Sequence, residues 1–269
     1  MILEHRAASV TLGSLRSAIE IKRGLAACAQ WILGAPLANA RVAYLAESKQ
    51  EGRAIMSRHC QRFLNTCHIS VEIDGPLPPP GRGCVLCYNE SSFPDLMAFM
   101  VAFLDHVDRA AAADLYKFFP FARAAFARID FELVQRGNRA ATDALIDKMV
   151  QRIRGGERVA WGGEGRLSGI DGIRRFKIGA SLIAIRAGAP VIPVVFHGGH
   201  HTLPLGAIRA RPGTIRIRIG NPIPTSGLTE DDARAFADKL QDTLSEMYST
   251  AAKSGVVSAG PKVSPEFNN

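Results

Sequence analysis

Three apolar runs in this chain pass directly into polar loops. Val85-Leu-Cys-Tyr88 runs into Asn89-Glu90, Arg158-Val-Ala-Trp161 into Gly162-Gly-Glu-Gly165, and Val191-Ile-Pro-Val-Val-Phe196 into His197. Each run is short and bounded by turn residues, which are the marks of a buried strand. Helical patterns separate them. Pro94 and Asp95 open an apolar helix from Leu96 to Leu104, Thr142 to Arg154 is amphipathic, and Ala180 to Arg186 is apolar and stopped by Gly188-Ala-Pro190. This alternation predicts an α/β fold, a largely parallel or mixed sheet flanked by helices. In such a sheet the loops after the strands leave from one edge and can converge on one pocket.

The flanking regions extend the pattern. Residues 14 to 66 read as three helices, the first two broken at Gly34-Ala-Pro36. The third, Lys49 to Leu64, is basic, with Arg53, Arg58, His59 and Arg62 expected on its surface. Residues 1–67 are therefore taken as an N-terminal helical segment and a candidate membrane-associating element. Its uncharged stretch, Gly24 to Ala40, is too short and interrupted to span a bilayer. An α/β domain is expected over 68–250. It includes alternating strands at 68–74 and 214–219, a short strand at 131–134 and a final helix capped by Thr229-Glu-Asp-Asp232. Pro193 inside its strand suggests an edge, a bulge or a special backbone site. Residues 251–269 are predicted to be a disordered tail.

The 269 residues carry 33 Lys and Arg against 25 Asp and Glu, a net charge of +8 that favours anionic partners. Nucleic acid is disfavoured, since there are 4 Tyr, 2 Trp and no zinc-finger or RNP-like spacing. Five cysteines, an odd number in no secreted-type framework, point to a reducing compartment. Cys84 and Cys87 lie three apart on a strand, facing opposite sides, and are expected in the core. No metal site is expected, since no His or Cys spacing fits a zinc pattern.

The three loops, in order and spacing, resemble the glycerolipid acyltransferase family, which includes the 1-acyl-glycerol-3-phosphate and lysophospholipid acyltransferases. The resemblance covers residues 68 to 248. The family's Asn-His-x4-Asp motif is matched by Asn89-Glu90-Ser91-Ser92-Phe93-Pro94-Asp95, its second by Leu133 to Arg136, its third by Trp161-Gly-Gly163-Glu164-Gly165-Arg166-Leu167-Ser168, and its fourth by Val191-Ile192-Pro193-Val194. The resemblance implies an acyl-CoA or acyl-carrier-protein thioester as co-substrate, with no cofactor, and a lipid-like hydroxyl or amine acceptor. It implies Glu90 and Asp95 in the catalytic positions. Asn89, Ser92, Arg136, Gly163, Glu164, Gly165, Arg166 and Pro193 would contact substrate. Arginine suits a phosphate because its planar fork grips two oxygens. Acyl carrier protein and the surface of an anionic membrane are the implied partners, and a cytoplasmic, peripheral location at the inner face of the membrane follows.

One position departs from the family. Glu90 stands where the family has its histidine base. Three readings follow: Glu90 is itself the base, sharing proton traffic with Asp95; a histidine from the His197-Gly-Gly-His-His201 loop, His197 first, takes the role; or the chain binds lipid or acyl chains without catalysis.

Overall fold

A computed structural model of the chain describes residues 2–135 and 137–253, with side chains placed for 14–135 and 137–252. Arg136 and the predicted tail from 254 lie outside the described residues. The elements in order are α1 (Ile2–Ala40), α2 (Lys49–Cys67), β1 (Ile69–Asp74), β2 (Cys84–Tyr88), α3 (Phe93–Phe103), β3 (Arg109–Ala113), α4 (Ala122–Arg128), β4 (Phe131–Val134), α5 (Arg139–Arg154), β5 (Arg158–Gly162), α6 (Gly179–Ala187), β6 (Val191–His197), α7 (Gly199–Thr202), β7 (Gly213–Ile219) and α8 (Ala233–Lys253).

The strands form one sheet in the order β1-β7-β6-β2-β5-β3-β4. Every pair is parallel except β6 with β7, so β1 and β7 run against the other five. The α/β expectation holds. β6, β2 and β5 are adjacent and parallel at the centre, and their C-terminal ends share one edge. Alternate residues of β2 face opposite sides: Leu86 and Tyr88 join the core under α2 and α3, while Val85 and Cys87 join the core under α5, α6 and α8. Cys84 and Cys87 fall into different cores, and burial pushes their thiols up to about 11 and about 12.

Three expectations need correction. Gly34-Ala-Pro36 does not break the first helix: α1 runs through Pro36 and ends in a π-helical turn, Arg41–Leu45. Packing outweighs the lost hydrogen bond here, since Ala35 and Ala38 are buried and Gly34 leaves room for the His59 ring, which a Cβ would approach to 2.9 Å. The basic face of α2 is not all surface. His59 is buried against Trp31, ring centroids 4.9 Å apart. Arg53 is buried too, and its guanidinium donates to the carbonyls of Leu104 and Val107 (both 2.6 Å), Asp108 (2.8 Å) and Ile129 (3.0 Å). It thereby satisfies carbonyls just beyond α3 and α4 that have no helical partner. Pro193 is not on an edge, because β6 lies between β2 and β7. The ladder to β7 begins only at Val194, so a residue without an N–H fits just before it.

The N-terminal helices share the core beneath one face of the sheet, through Ala27, Val42, Phe63 and Leu64. A row of α1 side chains nevertheless stays exposed, among them Leu15, Ile19, Ile32, Leu33 and Leu37. Among the described residues no helix is long and apolar enough to cross a membrane.

Candidate active site

The first motif is built by the start of α3. Ser92 is its N-cap, and Asp95 closes a capping box with it. Pro94 sits in the first turn, where a missing N–H costs nothing. Asp95 is fully buried, and its Oδ2 accepts from Ser91 N (2.9 Å), Ser91 Oγ (2.6 Å), Ser92 N (3.0 Å) and Ser92 Oγ (3.3 Å). Burial pushes its carboxyl above the usual range, and these hydrogen bonds only partly oppose that. Its Oδ1 is buried without a hydrogen-bond partner among the described residues and lies against Gly199, where a Cβ would stand 2.0 Å away. Asn89 is equally buried. Its Nδ2 donates to the Phe196 carbonyl (3.0 Å) and its Oδ1 accepts from the Phe196 N–H (2.9 Å), bolting the end of β2 to the end of β6.

The glycine-rich loop after β5 closes on the same corner. Gly163 N donates to Tyr88 O (2.8 Å), Ser168 N to Glu90 O (2.8 Å) and Gly169 N to Ser91 O (2.9 Å). Gly163 is needed for packing, since a Cβ would come within 2.5 Å of the Phe176 ring. Its N–H is used by the Tyr88 carbonyl. Gly165 has φ +67°, the left-handed region that glycine enters at no cost. Glu164 is buried and accepts from Glu90 N (3.2 Å) and Arg174 N (2.6 Å). Burial raises its pKa to about 7; the two backbone donors pull it down, and nearby Asp95 adds to the rise. Its oxygens therefore hold the two loops together. Arg166 is exposed, as are Arg174, Arg175 and Lys177 on the same loop, so the rim is cationic.

Glu90 is half-buried, and its carboxylate accepts a hydrogen bond from the Tyr88 hydroxyl. Tyr88 stacks on Phe99 with ring centroids 4.8 Å apart, and burial first, then Glu90, raises its phenol well above the usual value. Two of the predicted residues make their contacts outside these hydrogen bonds. Pro193 is buried within the sheet, its ring against Gly220. His197 leaves β6 on the face opposite Phe196, and its ring packs edge-on to Tyr248 of α8 at 4.8 Å. Sequence reasoning missed Tyr88, Ser91, Arg174 and Gly199. Ser91 was within reach of it, as a hydroxyl four residues before a helix-opening Asp; Gly199 was not, because its role is a contact between distant segments.

Residues 68–197 match a protein-family model described as Acyltransferase. The chain carries an acyltransferase domain. The chain is 33% identical over 118 residues to a putative 1-acyl-sn-glycerol-3-phosphate acyltransferase, acl-2, of Caenorhabditis elegans, covering 43% of this chain and 42% of that protein. It is 25% identical over 188 residues to the human 1-acyl-sn-glycerol-3-phosphate acyltransferase beta, covering 68% and 67%, and 31% identical over 125 residues to the Haemophilus influenzae 1-acyl-sn-glycerol-3-phosphate acyltransferase, covering 45% and 51%. The matches thus span from under half to about two thirds of these relatives. In fold, the chain superimposes on the crystal structure of the 1-acyl-sn-glycerophosphate acyltransferase PlsC from Thermotoga maritima with a TM-score of 0.67 at 17% identity, covering 89% of this chain and 97% of that one. An apolar cavity between α1, α2, α3 and α4 is lined by Trp31, Met56, Leu96, Met97, Met100 and Phe126.

Proposed function

We propose that this chain transfers an acyl group from an acyl-CoA or acyl-carrier-protein thioester to a hydroxyl or amine of a lysophospholipid-like acceptor. The observation that carries this reading is the single hydrogen-bonded corner holding Asn89, Glu90, Asp95 and Glu164, drawn from loops far apart in the chain. In this reading the acceptor oxygen attacks the thioester carbonyl, a C–O bond forms, and the C–S bond breaks. The hydroxyl proton passes to Glu90 and then to the departing thiolate, which leaves as thiol. Burial holds Asp95 and Glu164 toward their neutral forms, so an anionic acceptor meets less negative charge here. Arg166, together with Arg136, would grip its phosphate, and Arg174 and Lys177 would extend the cationic rim. The exposed row on α1, among basic residues such as Arg16 and Lys22, would rest on an anionic bilayer.

The test is acyl transfer from a labelled thioester to lysophosphatidate. Glu90→Ala and Asp95→Ala should each lower turnover at least ~100-fold, the scale of a lost acid–base group. Equal transfer by wild type and both variants would remove the site assignment.

A second reading is a non-catalytic lipid-binding protein. It is favoured by Glu90 being engaged by the Tyr88 phenol and by Asp95 spending its Oδ2 on two serines. It predicts saturable lysolipid binding with no turnover.

A further inference from the structure

The loop that carries Glu164 continues to Asp171, and there it meets a second group of polar side chains unused by the chemistry above. Asp171, His197 and His201 each present a donor atom, and these atoms all lie within 4.8 Å of one another. His197 ends β6 and His201 lies on α7, four residues on. The turn between them depends on Gly198, whose φ is +113° and where a Cβ would meet the Thr214 carbonyl at 2.3 Å. It brings the two imidazoles to 5.6 Å between ring centroids.

Three features set this group apart from a chance gathering. The Nδ1 of His197 is buried with no hydrogen-bond partner among the described residues, a costly condition for a polar atom without a ligand. Asp171 is oriented from behind, its Oδ1 accepting from the Tyr248 hydroxyl at 2.7 Å, with His201 Nε2 at 3.4 Å. A carboxylate fixed by an outer hydrogen-bond donor is how proteins present a metal ligand. Finally, the side chains of Asp171 and His201 are about half exposed, so an ion can reach the group from solvent.

We propose that Asp171, His197 and His201 form a binding site for one divalent cation of the zinc type. Two imidazoles and one carboxylate suit Zn²⁺, Co²⁺ or Ni²⁺ rather than Mg²⁺ or Ca²⁺, which prefer oxygen alone. Three protein donors is also the count at which zinc keeps a further position for water or a substrate oxygen. The ion would tie the loop after β5 to β6. Because that loop holds the backbone of Glu90 and Ser91 through Ser168 and Gly169, the ion would stiffen the neighbouring corner.

The experiment uses the full, untagged chain, stripped with a chelator and dialysed. Titration with Co²⁺ should saturate at one equivalent and develop visible absorption bands, and Zn²⁺ should bleach them while Mg²⁺ should not. Asp171→Asn, His197→Ala and His201→Ala should each abolish the bands or weaken binding by more than ~10-fold. Tyr248→Phe should weaken binding by about 10-fold, as loss of an outer partner does. His106→Ala, at the opposite edge of the sheet, should bind as wild type. His201 is exposed, so its variant should keep the wild-type circular dichroism and remain a fair test if the His197 variant does not fold. Absence of saturable 1:1 binding, or unchanged binding in folded His201→Ala and Asp171→Asn, would overturn the site. None of these readouts depends on acyl transfer.

Discussion

The backbone N–H of Glu90 donates to the buried carboxylate of Glu164 at 3.2 Å. The residue proposed as the base is thus positioned by an acidic residue from a separate loop. That acid has its own titration. Its pKa is raised from 4.5 to about 7, chiefly by burial. Between those values the folded chain holds a proton that the unfolded chain has released, so stability falls as pH rises through this window and levels off above it. The full effect is on the order of 3 kcal/mol. Asp95, also raised, contributes with the same sign. Urea denaturation at pH 5, 6, 7 and 8 should show this decline, and Glu164→Gln should flatten much of it. An undiminished slope in the variant would place the titration elsewhere.

Asn89 makes two hydrogen bonds to one residue, Phe196, with no exposure to solvent. Asn89→Ala leaves a buried N–H and carbonyl unpaired at the centre of the sheet. We expect a loss of about 2–4 kcal/mol in chemical denaturation. Asn89→Asp should also destabilise, because a carboxylate cannot donate to the Phe196 carbonyl.

Arg53 spans four carbonyls from two segments of the chain. Replacing it with Met should cost roughly 3 kcal/mol or more, since the carbonyls lose charged donors inside the protein. Arg53→Lys should recover less than half of that, because an ammonium lacks the planar fork. Equal stability of the Lys variant and wild type would show that charge alone suffices.

Gly199 has space for no side chain. Its Cβ would lie 2.0 Å from Asp95 Oδ1 and 2.6 Å from Ser92 Oγ. Gly199→Ala should therefore displace the capping box of α3. A destabilisation of about 1–3 kcal/mol is expected from overpacking. Acyl transfer should fall further than stability explains when both are measured at a temperature where the variant is fully folded.

The thiols offer a check on the core. Cys60, Cys67, Cys84 and Cys87 are buried with raised pKa values, and Cys28 is partly exposed. A thiol reagent should modify at most Cys28 rapidly in the native chain and all five cysteines after denaturation.

The sheet and its polar edge were legible in the sequence because strand and helix patterns differ in period and each strand ended in turn residues. The opening of α3 at Pro94 and Asp95 was similarly local. β3, Arg109–Ala113, was not legible: four successive alanines carry no alternation, and it is pairing with β4 and β5 that makes them a strand. Pro36 misled because helix propensity is local while the packing that overrides it comes from α2. Arg53 and His59 misled for a related reason, since charge and polarity along a helix do not reveal which carbonyls or rings await them. The partner of Glu90 was also hidden, although Tyr88 is only two residues away, because its hydroxyl reaches Glu90 through the geometry at the end of β2.

The order of strands at the centre of the sheet has a kinetic consequence. β6, β2 and β5 are neighbours in space, yet β2 is complete by Tyr88 while β6 does not begin until Val191. The corner therefore cannot assemble from any local piece of the chain. Asn89 has nothing to hold until β6 docks, and loop closure over that distance is slow. In refolding, protection of the Phe196 amide from hydrogen exchange should appear late, after the helices have formed, and a chain ending before β6 should never acquire the corner.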